Sequence, residues 1–141
     1  MLNVSKNKIV NFNLENATSF TGESGMYILY SMVRINSILK NNDINLINEI
    51  KLNNDIEKKI VKELSLFPEI IDSLLKSNEP AHLTKYLFNV AGLFSKLYEQ
   101  VAITNESDII LKSSRIRLLQ CVSKVLTNAL KILGIEPIEK L

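Results

Sequence analysis

The sequence predicts an all-α protein, a bundle of about five to six helices, and three observations carry that prediction. Only four Gly and three Pro punctuate 141 residues, which suits long helices joined by short loops better than many short strands. Apolar residues recur at three- and four-residue spacing along most of the chain, the period of a helix with one buried face. The polar breaks between those stretches carry Ser, Asn, Asp, Pro and Gly where helices start and stop.

Residues 1–20 are polar and irregular, with Ile9, Val10, Phe12 and Leu14 as apolar anchors. They read as a lead-in that packs on the helices and has room for one short strand. Ser24 is a good N-cap, and the first helix is expected from there to about Lys40. That helix is apolar on nearly every side, so it is expected at the centre of the bundle. Residues 41–53 form a polar break with room for one helical turn around Leu46–Ile50. Asn54 or Asp55 caps the next helix, in which Ile56, Ile60, Val61 and Leu64 make one stripe. Pro68 restarts the chain, and Ile70, Ile71, Leu74 and Leu75 continue as a further helix.

Asn78, Glu79 and Pro80 then read as cap, acidic first turn and N-terminal proline. The helix that follows is expected to reach Val101, with Leu83, Leu87, Val90, Phe94 and Leu97 buried. After a polar loop, 104–108, a last helix spans Ile109 to Leu133. Leu119, Val122, Leu126, Ala129, Leu130 and Leu133 share its buried face, and Ser113, Arg117, Gln120, Lys124, Thr127 and Lys131 the opposite one. Gly134 is a natural residue just past a helix end, and Pro137 blocks continuation. Residues 135–141 form a tail, and the whole chain, 1–141, reads as a single domain.

Composition excludes several function classes. Apolar residues make up 46% and charged residues 23%, ordinary values for a water-soluble domain with a real core. The net charge of +2 argues against bulk, charge-driven nucleic-acid binding, but leaves open a focused contact. The longest apolar stretch, Gly25 to Leu39, is broken by Arg34 and Asn36, so no membrane association is expected. One Cys and no secretory leader make a cytoplasmic location the simplest expectation.

Catalysis finds little support. One His, one Cys and scattered carboxylates leave no metal-ligand spacing and no Cys–His pair, and no Gly-rich phosphate loop is present. His82 is read as solvated, and Cys121 as a small packing residue. The first helix is more informative. Tyr27, Ser31 and Arg34 are spaced by four and three and share a face, with Tyr30 beside them. Aromatic rings and a guanidinium are what recognition of single-stranded RNA uses, by stacking on splayed bases and holding phosphate. The bland alternative is that both Tyr fill the core and Arg34 pairs with a carboxylate. A second candidate patch is Arg117, Lys124 and Lys131 on the last helix, which on its own reads as a solvated face. Arg115 lies in line with the apolar stripe, so it either covers apolar surface with its stem or reaches a specific partner.

The order of these pieces resembles a known family. The run TGESGMYILYSMVRINSIL is similar to the entry helix of the C-terminal, DALR-type anticodon-binding domain of arginyl-tRNA synthetases, with Gly25, Tyr27, Tyr30, Arg34, Ile35, Ser37 and Ile38 at matching places. Upstream, IVNFNLENATSF resembles the lead-in, with Phe12 at the key place. EPAHLTKYLFNVAGLFSKLYEQ resembles the Glu-Pro helix through Glu79, Pro80, Leu83, Tyr86, Leu87, Ala91, Phe94 and Tyr98. SSRIRLLQCVSKVLTNALKILGIEPIEKL resembles the ending, through Arg115, Leu118, Val125, Leu126, Leu130, Leu133, Gly134, Ile135 and Pro137. The resemblance covers residues 8–141 in order. Departures fall at Met26 for Pro, Leu29 for Gln, Ser95 for Asn, Leu97 for Phe, and Lys140–Leu141 for Arg-Met. Lys140 keeps the charge without the bidentate fork of Arg.

The resemblance implies an anticodon-binding helical bundle of a class I aminoacyl-tRNA synthetase, belonging to an arginine–tRNA ligase that uses ATP. The implied tRNA contacts are Tyr27, Tyr30, Arg34, Tyr98, Arg115, Lys140 and Leu141. The implied partners are an arginine-accepting tRNA, through its anticodon arm, and the catalytic domain of the same polypeptide. The catalytic signatures of the family, of HIGH and KMSKS type, do not occur in these residues, so ATP is expected to act on a domain outside them and no cofactor is expected here. A piece of a longer protein is therefore expected ahead of a split or degenerate gene, with apolar surface that can self-associate once cut from its partner. Two other readings stand beside this one: a stand-alone helical adaptor that kept the fold, and the equivalent domain of another class I synthetase such as the cysteinyl enzyme.

Overall fold

The computed structural model describes Leu14, residues 24–42 and residues 48–137. Among these, five α-helices follow one another: α1 Gly25–Lys40, α2 Asp55–Ser65, α3 Phe67–Ser77, α4 Pro80–Gln100 and α5 Ile109–Ile132. The described residues contain no strand. Of the lead-in only Leu14 is described, and this expected apolar anchor is exposed; Phe12 and the last residues of the tail lie outside the described residues. Residues 46 and 47 of the turn expected at Leu46–Ile50 also lie outside them, and the other three, 48–50, are described and are not helical.

Each helix begins where local chemistry demands. Ser24, in an extended conformation, accepts the Tyr27 backbone N–H on its hydroxyl and starts α1. Asn54 accepts from Ile56, while Glu57 reaches back to the Asn54 backbone, a reciprocal capping box at α2. Asp108 accepts the N–H groups of Ile110 and Leu111 at the head of α5. At the far end of α5 the Ile135 N–H donates to Leu130 and the Gly134 N–H to Lys131, with Gly134 at φ +72°. That pairing is a Schellman stop, which asks for a residue without a Cβ in the left-handed region.

The start of α4 differs from expectation. Asn78 does not cap it; Asn78 sits at φ 52° and closes α3, its N–H donating to Leu74. Glu79 is the extended N-cap of α4, with Pro80 in the first turn. Asn is the non-glycine residue that best tolerates this conformation, so it serves as a helix stop as readily as a start.

The central element is α4, not α1. It packs against all four other helices and buries Leu83, Leu87, Val90, Ala91, Phe94 and Leu97 almost completely. In α1 only one face is covered, through Ile28, Met32, Ile35 and Ile38. Helix α5 adds Leu119, Val122, Leu126, Ala129 and Leu130 to the same core. Helices α2 and α3 lie against α4 from one side. Val61, expected in the apolar stripe of α2, is instead exposed, as is Leu75 on α3, because a peripheral helix needs a narrower stripe than its apolar residues offer. Cys121, expected to pack, is exposed on the outer face of α5.

Tyr86 fastens the α2–α3 pair to α4. Its hydroxyl donates to the Glu63 carbonyl at 3.1 Å, and its ring stacks on Phe67 with centroids 5.8 Å apart. Burial, with the Glu63 charge nearby, pushes the phenol up to about 12, so it remains a donor across the working pH range. The opposite seam, between α1 and α4, carries the side chains with functional interest.

Candidate nucleic-acid interface

Tyr30 and Arg34 are four residues apart on α1 and therefore neighbours on one face. Tyr98, in the last turn of α4, meets them across the seam. The Arg34 guanidinium carbon lies 3.9 Å from the Tyr98 ring centre and 5.5 Å from that of Tyr30. Both rings are 40% exposed, so the cluster faces solvent. Among the described residues no carboxylate pairs with Arg34, and cation–π attraction to the two tyrosine rings holds its still-charged guanidinium. The alternative in which Tyr30 fills the core and Arg34 pairs with a carboxylate therefore does not hold.

The cluster stands on a firm base. Phe94, fully buried one turn before Tyr98, holds the tyrosine ring from below at 6.2 Å with planes tilted by 51°. Tyr27 is half-buried, and its hydroxyl and that of Ser95 are hydrogen-bonded at 3.0 Å. A Cβ added at Gly92 would meet that Tyr27 oxygen at 3.9 Å, an ordinary contact. Tyr27 thus latches α1 to α4 beneath the exposed pair, while the Ser31 hydroxyl turns inward to the Tyr27 carbonyl.

Arg115 is placed differently from expectation. It is only 4% exposed, and every nitrogen is committed inside the protein. Its Nε donates to Glu57 Oε1 at 2.6 Å, Nη1 to Glu106 Oε2 at 2.5 Å and to the Ala102 carbonyl at 3.2 Å, and Nη2 to Asn53 Oδ1 at 3.2 Å. The other oxygen of the fully buried Glu57 accepts the backbone N–H groups of Asn53 and Asn54. One guanidinium therefore ties α5 to the entry of α2 and to the α4–α5 turn. An arginine so enclosed offers nothing to a ligand, and the expected RNA contact at Arg115 is replaced by an internal anchor.

Charges around this anchor are set by hydrogen bonds. The Asp108 backbone N–H, with help from Arg115, holds the Glu106 carboxyl below its ordinary value. Lys51, 2.6 Å from Asp108, and the Leu111 N–H hold the Asp108 carboxyl low in turn. The same ion pair raises Lys51.

Of the second sequence-singled patch, Lys124 and Lys131 are exposed and Arg117 is half-buried on the outer side of α5. Ser113, expected with them, is buried. The stripe ends at a shallow depression lined by Lys131, Gly134, Ile135, Glu136 and Pro137. Lys140 and Leu141 lie outside the described residues. His82 is exposed. No group of His, Cys, Asp or Glu able to hold a metal ion occurs among the described residues, and none of their helices is long and apolar enough to cross a membrane.

Fold and surface together define a helical module that presents two aromatic rings and a cation on one exposed seam. Residues 28–141 match the family model described as the DALR anticodon binding domain, and the chain belongs to that family. It is 37% identical over 133 residues to arginine–tRNA ligase 1 of Bacillus cereus, covering 94% of this chain and 23% of the relative. To the arginine–tRNA ligase of Alcanivorax borkumensis it is 31% identical over 133 residues, covering 92% and 23%. The chain spans about a quarter of the length of the curated relatives it matches. The arginyl-tRNA synthetase of Plasmodium falciparum superposes with a TM-score of 0.88 at 28% identity, over 99% of this chain and 25% of that one. The enzyme of Thermus thermophilus shares the fold, with a TM-score of 0.85 at 22% identity over 95% and 24%.

Proposed function

We propose that this chain is the anticodon-reading part of an arginine–tRNA ligase, and that the α1–α4 seam receives bases of the anticodon loop. The observation that carries the reading is the exposed Tyr30–Arg34–Tyr98 cluster. Splayed bases stack on exposed tyrosine faces, and each such contact contributes about 1–3 kcal/mol. Arg34 is already ordered against Tyr98, so little of its rotamer entropy is lost when it donates to a base edge or phosphate. Tyr27 supports this surface from below. Lys140 and Leu141 complete the set of contacts as a cation and an apolar tip.

In this reading the domain holds no cofactor. ATP and arginine act on the part of the enzyme that corresponds to the uncovered length of the relatives, and that catalytic part is the second partner, alongside an arginine-accepting tRNA. The reading places the protein in the cytoplasm. Holding the anticodon arm sets where the acceptor end of the tRNA arrives.

Titrating the chain with an arginine-accepting tRNA, and with the same tRNA substituted in the anticodon, tests the reading. The substituted tRNA is expected to bind about tenfold or more weakly, since a lost base contact costs about 1–3 kcal/mol. Equal binding of the two, or no binding at any salt concentration, overturns it in favour of an adaptor role.

A further inference from the structure

Charge is segregated in this fold in a way that the net value conceals. Helices α1 and α5 pack side by side, with the Ser123 hydroxyl 3.1 Å from Asn36 Oδ1 across their contact. Together they carry seven basic residues, Arg34, Lys40, Lys112, Arg115, Arg117, Lys124 and Lys131, and no Asp or Glu. The α2–α3 pair carries five acidic residues, Asp55, Glu57, Glu63, Glu69 and Asp72, against four lysines, Lys58, Lys59, Lys62 and Lys76. In a protein of net charge +2 helices α1 and α5 thus carry no carboxylate of their own, and among the described residues Glu136 lies beside Lys131 just past the end of α5.

Arg115 is neutralised inside the protein by Glu57 and Glu106. Of the other bases of α5, Lys124 and Lys131 are exposed, and Lys112 and Arg117 are half-buried. Lys124 and Lys131 are one full heptad apart, so they lie on one side of the helix at about 10 Å spacing, and Arg117 extends the line by another seven residues. The other exposed residues among them, Gln120, Cys121 and Asn128, carry no carboxylate. Among the described residues neither Lys124 nor Lys131 has a carboxylate partner.

We propose that the outer face of α5 is a second RNA-binding surface, which holds phosphates through Lys124 and Lys131 with Arg117, separately from the base-stacking seam. This rests on the reading above that the ligand is RNA. A cationic line on one helix is the electrostatic footprint of a phosphate backbone. The polar residues along it add hydrogen-bond capacity without competing charge. The seam then supplies base selectivity, and α5 supplies sequence-independent attraction.

Salt dependence separates the two surfaces, because each phosphate contact releases counterions and steepens the slope of log K against log salt by about 0.7–0.9. Binding of an arginine-accepting tRNA transcript is measured across salt for the wild-type chain and three double variants: K124Q/K131Q, K59Q/K62Q and Y30A/Y98A. Lys59 and Lys62 are exposed on α2, so the second variant removes the same charge from the other side. The proposal predicts that the α5 variant loses about 1.5 from the slope and that the α2 variant changes it little. Equal loss from both, or loss from neither, overturns the proposal. The aromatic variant should bind more weakly at every salt concentration with the slope kept. Wild-type affinity in that variant, with slope lost in the α5 variant, sinks the stacking seam and leaves the phosphate surface standing. Melting temperatures near wild type confirm that the exposed substitutions leave the fold intact.

Discussion

The guanidinium of Arg34 lies 3.9 Å from the centre of the Tyr98 ring, bridging two helices whose contributing residues are 64 positions apart in sequence. The contact is exposed, and it orders an aromatic face and a cation where a nucleotide can reach both. Replacing Tyr98 by Ala should weaken RNA binding by about 1–3 kcal/mol, roughly 5- to 150-fold. Tyr98→Phe keeps the stacking face and should retain most of the affinity. Because the ring is 40% exposed, both variants should melt close to wild type. The check is a Kd series beside a thermal melt.

Arg115 makes the opposite prediction. Replacing it by Met leaves the fully buried Glu57 without its cationic partner, and loss of one member of a buried pair costs about 3–5 kcal/mol. Arg115→Lys should recover only part of this, since an ammonium cannot reach Glu57, Glu106, Asn53 and the Ala102 carbonyl together. Urea midpoints at constant m-value measure the loss. The RNA affinity of the folded fraction should be unchanged, because Arg115 touches no ligand.

The same region sets an acid limit on stability. Glu106 and Asp108 have carboxyls held below their ordinary values by backbone N–H groups and by Arg115 and Lys51. A depressed folded value means that stability is fully present above the unfolded value and is lost as pH falls through the folded one. Melting temperature should therefore hold above the ordinary carboxylate range and fall progressively below it. Glu106→Gln should flatten that fall, as read by melting curves from neutral to acid pH.

At Gly134 the backbone carries the cost. Its φ of +72° is in the left-handed region, and an added Cβ would meet nothing within 4 Å. Gly134→Ala should thus lose about 1–2 kcal/mol from conformation alone, with no effect from packing. Chemical denaturation of the single variant checks this.

How much of this was legible in the sequence follows from the range of the forces involved. Ser24, Asn54, Pro68 and Gly134 act within a few residues, so four helix boundaries could be read directly from them. Asn78 could not, because a left-handed stop and an N-cap favour the same residue. Five residues of the buried face of α4, Leu83, Leu87, Val90, Phe94 and Leu97, were visible in their spacing, but the helix's central position was not, since that depends on which helices pack around it. Val61 was misplaced for the same reason. At the site, the Tyr30–Arg34 pair was legible as an i, i+4 spacing. Tyr98 joined it only through the family resemblance, because no local rule links α1 to the end of α4. Arg115 was singled out correctly as unusual, yet its partner Glu57 lies 58 residues away and is found only when α2 and α5 meet.

The most direct test of the account is to follow the tyrosine ring resonances while an anticodon stem-loop of arginine tRNA is added. Four tyrosines make the spectrum tractable, and they sample three environments: exposed Tyr30 and Tyr98, half-buried Tyr27, and buried Tyr86. A base stacked on the seam should shift the Tyr30 and Tyr98 ring signals strongly, Tyr27 less, and Tyr86 hardly at all. Saturating RNA that leaves Tyr30 and Tyr98 unmoved would contradict the claim that this seam reads the anticodon.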